Sequence, residues 1–105
     1  MDVQIKKGLL DICVLAVLKR GDSYGYKIIE DLSDVIVISE STLYPILKRL
    51  EQGGAVTAYS IEHNGRLRRY YKITKTGVEA TDGFLKDWKE MEKIYNFVKG
   101  DKDYE

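Results

Sequence analysis

The chain has 105 residues, enough for one small domain and at most two. Its 17 Lys and Arg balance 17 Asp and Glu, which on its own argues against a protein that merely coats nucleic acid. The lone Cys13 excludes an internal disulfide and points to a reducing setting, and with His63 far from it no metal site is credible, so no cofactor is expected.

The first predicted element is a helix over residues 3–19. It is apolar nearly all round from Leu9 to Leu18, interrupted by Asp11, which is the pattern of a buried helix. Lys6 and Lys7 before this run give a faint likeness to a signal peptide. Asp11 breaks that likeness, and "KRGDSYG" follows where a small-residue cleavage site would stand. "LLDICVLAVL" is also too short to span a bilayer, so a soluble cytoplasmic protein is expected.

Gly21 reads as the end of that helix, with Asp22 or Ser23 capping a second helix over about residues 23–33. "DVIVIS" is a short β-branched segment, one strand at most. Ser39 or Ser41 then opens a third helix, "STLYPILKRLEQGG". With Ser39 as the cap, Pro45 falls in the second turn and removes one backbone bond to the Ser41 carbonyl. With Ser41 or Thr42 as the cap, that cost largely vanishes. At 100° per residue, Leu43, Ile46, Leu47 and Leu50 share one face. Ser41, Tyr44, Pro45 and Lys48 lie opposite, with Arg49 at the edge.

"AVTAYSIE", the turn "HNGRLR" and "RYYKIT" predict a β-hairpin over residues 55–74, because Asn64-Gly65 is a strong two-residue turn signal. Strand alternation sends Tyr70 and Tyr71 to opposite faces, with Tyr71, on the face of Ile73, expected in the core. Thr74 or Thr76 opens a last helix over about residues 76–99. Its apolar positions Phe84, Trp88, Met91, Tyr95 and Val98 form a heptad-like seam suited to another helix. The final "GDKDYE" is expected to fray.

Charge is unevenly placed along these elements. Residues 1–40 carry net −2, residues 41–77 net +5 and residues 78–105 net −3. The basic third includes Lys48, Arg49, Arg66, Arg68, Arg69 and Lys72, a local field to which a phosphate backbone responds. A solvated strand pair with clustered charge would look the same, so the field alone does not decide.

The order of elements does more. The predicted fold is mainly α with a small β-hairpin: a winged helix-turn-helix over residues 1–75 and a C-terminal dimerisation helix with its tail over residues 76–105. Such a helix can enter the major groove, and a basic wing can reach flanking phosphates or the minor groove. No nucleophile–base pair, paired-carboxylate site or phosphate loop speaks for an enzyme.

"SYGYKIIEDL", "STLYPILKRLEQGGAVTAY" and "GRLRRYYKITKTG" resemble three blocks of the PadR family of bacterial transcriptional regulators. The single C-terminal helix resembles its compact branch. The resemblance implies a homodimeric repressor that binds a pseudo-palindromic operator and is in some members released by a small aromatic or drug-like ligand. For this chain the expected DNA-binding set is Tyr24, Ser41, Thr42, Tyr44, Pro45, Lys48, Arg49, Arg66, Arg68 and Lys72. Leu9, Leu10, Phe84, Trp88, Met91, Tyr95 and Val98 would form the dimer interface. Trp88 and Met91 would meet a planar effector, or Trp88 would simply anchor the helix seam. The alternatives are a winged-helix module for protein–protein contact and a DNA-binding regulator without an effector.

Overall fold

The computed structural model describes residues 2–100, and the expected frayed residues 101–105 lie outside them. Helix α1 spans Val3–Lys19, strand β1 Ser23–Tyr24, α2 Gly25–Leu32 and α3 Glu40–Gln52. They are followed by β2 Val56–His63, β3 Arg66–Ile73 and α4 Lys75–Lys99. The arrangement is the predicted winged helix-turn-helix with a long C-terminal helix.

The apolar surround of α1 makes it the centre of the core. Val14, Leu15 and Leu18 are sealed from solvent and pack with Ile28 and Leu32 of α2, Leu43 and Leu47 of α3, and Val56 and Tyr71 of the sheet. Leu10 belongs to this core too, at 7% exposure. The chain's own elements cover most of it, and what remains faces a groove shared with Lys6, Leu9, Cys13 and Ile36. Leu9, one residue earlier, is half-buried.

Two details of the helix-turn-helix differ from expectation. The segment "DVIVIS" forms no strand; Ile36 and Ile38 tuck against the core while Val35 and Val37 point outward. Its alternation is real, but no neighbouring strand offers hydrogen bonds. Conversely, Ser23–Tyr24 is a strand that the sequence did not suggest. It pairs antiparallel with β3, Ser23 opposite Tyr71 and Tyr24 opposite Tyr70, giving the sheet order β1-β3-β2. This pairing delays α2 to Gly25. Neither Asp22 nor Ser23 caps it; the N-cap is Tyr24, without a side-chain bond.

The hairpin forms as predicted. Asn64 (φ 52°) and Gly65 (φ 79°) both take left-handed backbone, the requirement of a two-residue turn that matches strand twist. The register from Val56–Ile73 to His63–Arg66 is unbroken. Tyr71 enters the core at 6% exposure, while Tyr70 lies on the outer face.

Helix α4 starts inside this body. Thr74 caps it by accepting from the Gly77 N–H at 3.2 Å and itself donates to the Gly54 carbonyl at 2.6 Å. Gly77 sits so close to the Ala55 carbonyl and the Ile73 side chain that no Cβ fits there. Thr81 is buried one turn later, where α4 packs on α1. Beyond Phe84, α4 runs outward, and the chain extends 61 Å along its longest axis. Among the described residues, no helix is long and apolar enough to cross a membrane.

Candidate nucleic-acid interface

Helix α3 is placed by its apolar stripe. Leu43, Ile46, Leu47 and Leu50 are buried, which forces Ser41, Thr42, Tyr44, Pro45, Lys48 and Arg49 outward. Ser39 is the N-cap: its Oγ accepts from the Thr42 N–H at 3.3 Å and lies 2.8 Å from the Ser41 Oγ. Pro45 therefore falls in the second turn and cannot donate to the Ser41 carbonyl. Both residues are exposed, so the structure places that carbonyl's residue on the solvent side.

Tyr44 leans across to α2. Its ring covers Gly25, with the hydroxyl 2.5 Å from where a Cβ on Gly25 would stand. Burial, Glu40 and Tyr71 hold its phenol above the ordinary range, so Tyr44 remains a neutral hydroxyl donor at physiological pH. Lys48 makes no ion pair or hydrogen bond within the described residues. Arg49 does. Its guanidinium grips Asp11 of α1 through two contacts, 2.5 and 3.4 Å. The two neighbouring cations thus differ: Lys48 presents its charge to solvent and Arg49 spends its charge on α1.

The wing divides its cations by strand alternation. Arg66, Arg68 and Lys72 lie on the outer face with Tyr70; Arg69 lies on the inner side with Tyr71. Arg69 donates to both carboxylate oxygens of Glu51, at 3.0 and 3.2 Å, tying the wing to the last turn of α3. Contacts with Tyr71 and then Glu51 hold its guanidinium above its ordinary pKa. Arg68 stacks on the Tyr24 ring, 4.1 Å from its centroid. Arg66 and Lys72 make no such contact within the described residues.

Between wing, α2 and α3 lies an open cleft of about 740 Å³. It brings together Tyr24, Tyr44, Arg66 and Arg68 of the expected set, and adds Tyr26, His63 and Arg69. Ser41, Thr42, Pro45 and Lys48 lie beside it on α3, whereas Lys72 is set back toward the hairpin base. Sequence reasoning missed Tyr59 and left Tyr70 unassigned. Both are on the outer face, where their rings stack 5.7 Å apart; period-two alternation from Arg68 reaches Tyr70, and the hairpin register about Asn64-Gly65 sets Tyr59 opposite it. Of the tyrosines flanking Gly25, Tyr24 is packed and Tyr26 is the exposed one.

The second expected site lies far along α4. Trp88 and Met91, with Glu92, Tyr95 and Asn96, line a hollow of about 350 Å³. Trp88 stacks on Phe84 at 6.1 Å and is still 51% exposed. Met91, Tyr95 and Val98 continue the seam and are more exposed still.

An outward α3 face of hydroxyls, a phenol and a lysine, beside a wing carrying Arg66 and Arg68, is set on a winged helix-turn-helix fold. Comparison with known families makes the assignment specific. Residues 14–82 match the transcriptional regulator PadR-like family, and the chain belongs to that family, whose members are transcription regulators and not enzymes. A transcriptional regulator from Clostridium thermocellum is similar at 32% identity and TM-score 0.79, over 91% of this chain and 95% of that one. A PadR-like transcription factor from Bacteroides fragilis is 31% identical with TM-score 0.83, over 90% and 94%. The fold also matches Bacillus subtilis PadR, solved in complex with operator DNA, at 23% identity and TM-score 0.69, over 73% of this chain and 46% of that one.

Proposed function

We propose that this PadR-family regulator is a cytoplasmic repressor that binds a pseudo-palindromic operator as a homodimer. In this reading residues 1–75 hold the DNA. Helix α3 enters the major groove with Ser41, Thr42, Tyr44, Pro45 and Lys48, and the wing places Arg66 and Arg68 on the flanking backbone, with Lys72 in support. Residues 76–105 dimerise. A planar hydrophobic ligand, stacked on Trp88 and packed by Met91, releases the operator.

The observation that carries the proposal is the pairing of two surfaces on one chain: a cationic α3–wing face and an apolar seam on α4 that remains largely exposed among the described residues. Trp88, Met91, Tyr95 and Val98 are all more than half exposed, with Phe84 half-buried at the inner end. Leaving that much apolar surface in water is unfavourable, and a second copy would bury it. Two-fold symmetry then sets two α3 helices about one DNA turn, roughly 34 Å, apart. A ligand shifts DNA affinity only by preferring one spacing of those helices, and α4 joins the wing base to the seam.

Sedimentation at micromolar concentration should give about twice the 12.1 kDa chain mass. Anisotropy titration against the DNA upstream of its own gene should show binding, weakened by planar aromatic compounds that quench the sole tryptophan. A clean monomer refutes the dimer. DNA binding untouched by every compound that quenches Trp88 refutes release by that ligand.

A further inference from the structure

Arg68 is not a free cation on a flexible strand. Its guanidinium lies 4.1 Å from the centroid of Tyr24. Tyr24 in turn meets Tyr70 edge-on, with centroids 5.4 Å apart at 70°. Tyr70 stacks on Tyr59 at 5.7 Å and 13°, and the Tyr59 hydroxyl donates to Asp22 at 2.7 Å. These groups run across all three strands on one face, because register sets Tyr24 opposite Tyr70 and Tyr70 opposite Tyr59. Asp22 immediately precedes β1, so the hydrogen bond ties the far strand back to the start of the row. The short strand β1, unforeseen in the sequence, is what brings Tyr24 alongside the wing.

We propose that Tyr24 is a positioning residue for DNA binding: its ring, braced by Tyr70, Tyr59 and Asp22, holds the Arg68 guanidinium extended and ready for a phosphate. The chemistry suits this. A guanidinium stacked by its flat face keeps its N–H donors in the plane, free for an oxygen ligand. The long side chain is ordered before DNA arrives, so less rotamer entropy is lost on binding. Tyr24 therefore acts through Arg68 and not by its own contact with the backbone. This rests on the operator-binding reading above.

The test uses the full-length protein and a random-sequence duplex of about 30 base pairs, since phosphate contacts do not require the operator. Affinity is measured against salt for wild type, Tyr24→Leu, Tyr24→Phe, Arg68→Ala and the double variant Tyr24→Leu/Arg68→Ala. Arg68→Ala should lower the salt slope by about one. Tyr24→Leu should keep the wild-type slope and lose about two- to six-fold in affinity, the worth of an exposed cation–π contact. Tyr24→Phe should retain wild-type affinity. In the Arg68→Ala background, Tyr24→Leu should have no further effect. In the free protein, the Arg68 Nε–H resonance should shift on Tyr24→Leu and stay on Tyr24→Phe.

Additive losses in the double variant, or an unmoved Arg68 resonance, overturn the positioning role while leaving DNA binding intact. Loss of affinity in Tyr24→Phe also overturns it, because the hydroxyl would then be the contact. A wild-type protein that binds no duplex at all overturns the operator-binding reading, and this proposal with it.

Discussion

Tyr44 rests on Gly25: its hydroxyl oxygen is 2.5 Å from the position that a Cβ on Gly25 would occupy. A side chain on the first residue of α2 and the phenol on the outer face of α3 cannot share that space. The glycine therefore sets the attitude of a residue on the proposed DNA face, even though it presents no side chain of its own.

Gly25→Ala is expected to lower DNA affinity about tenfold, a cost of about 1.4 kcal/mol, by turning Tyr44 off α2. Thermal stability should change little, since the ring can swing into solvent. Tyr44→Ala should lower affinity as well, and the pair together should lose no more than Tyr44→Ala alone. An anisotropy double-mutant cycle reads the coupling; full additivity would mean that Tyr44 and Gly25 act independently.

Lys48 and Arg49 are neighbours with opposite expected behaviour. Lys48→Ala should reduce the salt slope of DNA binding by about one, as the loss of a phosphate contact requires. Arg49→Ala should leave the slope nearly unchanged, because its guanidinium is held by Asp11. Asp11→Asn then gives the discriminating result: it releases Arg49 and should steepen the slope. Equal slopes for all three variants would remove α3 from the DNA contact.

The sequence made the fold readable wherever an element carries its own periodicity. The α3 stripe of Leu43, Ile46, Leu47 and Leu50 fixed both the buried face and the exposed residues opposite it. Asn64-Gly65 fixed the hairpin register. What was not readable depends on contacts distant in the chain. Ser23–Tyr24 is a strand only because Tyr70 and Tyr71 lie beside it, and two residues show no alternation of their own. The depth at which Leu10 is buried was not readable either, because nothing local says that α2, α3 and α4 gather around α1. The same blindness covers the cations: local sequence gave no sign that Arg49 meets Asp11, 38 residues away, while Lys48 makes no hydrogen bond or ion pair among the described residues.

Two serines on either side of α2 should respond oppositely to removal of their hydroxyls. Ser39 caps α3, and Ser39→Ala should cost about 1 kcal/mol. Ser23 is 3% exposed, and its Oγ has no hydrogen-bond partner among the described residues. A buried hydroxyl without a partner is a desolvation penalty that alanine removes. Ser23→Ala should thus be neutral or stabilise by up to about 1 kcal/mol. Urea melts of the two variants test the sign, and a clear loss of stability in Ser23→Ala would show that its hydroxyl is satisfied in solution.

Cys13 supplies a test of what covers α1. Its thiol lies in a groove of about 220 Å³ with Lys6, Leu9, Leu10 and Ile36, and burial pushes its pKa above the ordinary value. The thiolate is the reactive form, so labelling by a disulfide reagent should be slow near neutral pH and accelerate only in alkali. The linkage has a definite sign. A thiol whose folded pKa is raised adds nothing to the pH dependence while both states stay protonated. As pH rises through the unfolded value, the unfolded chain ionises first and stability falls until the folded value is passed. Cys13→Ala should remove that alkaline fall. If α4 of a second copy lies over α1 in the proposed dimer, labelling at fixed pH should also slow as protein concentration rises through the dimerisation range. A rate independent of concentration would place the partner's helix elsewhere on the chain, leaving the groove at Cys13 open in the dimer.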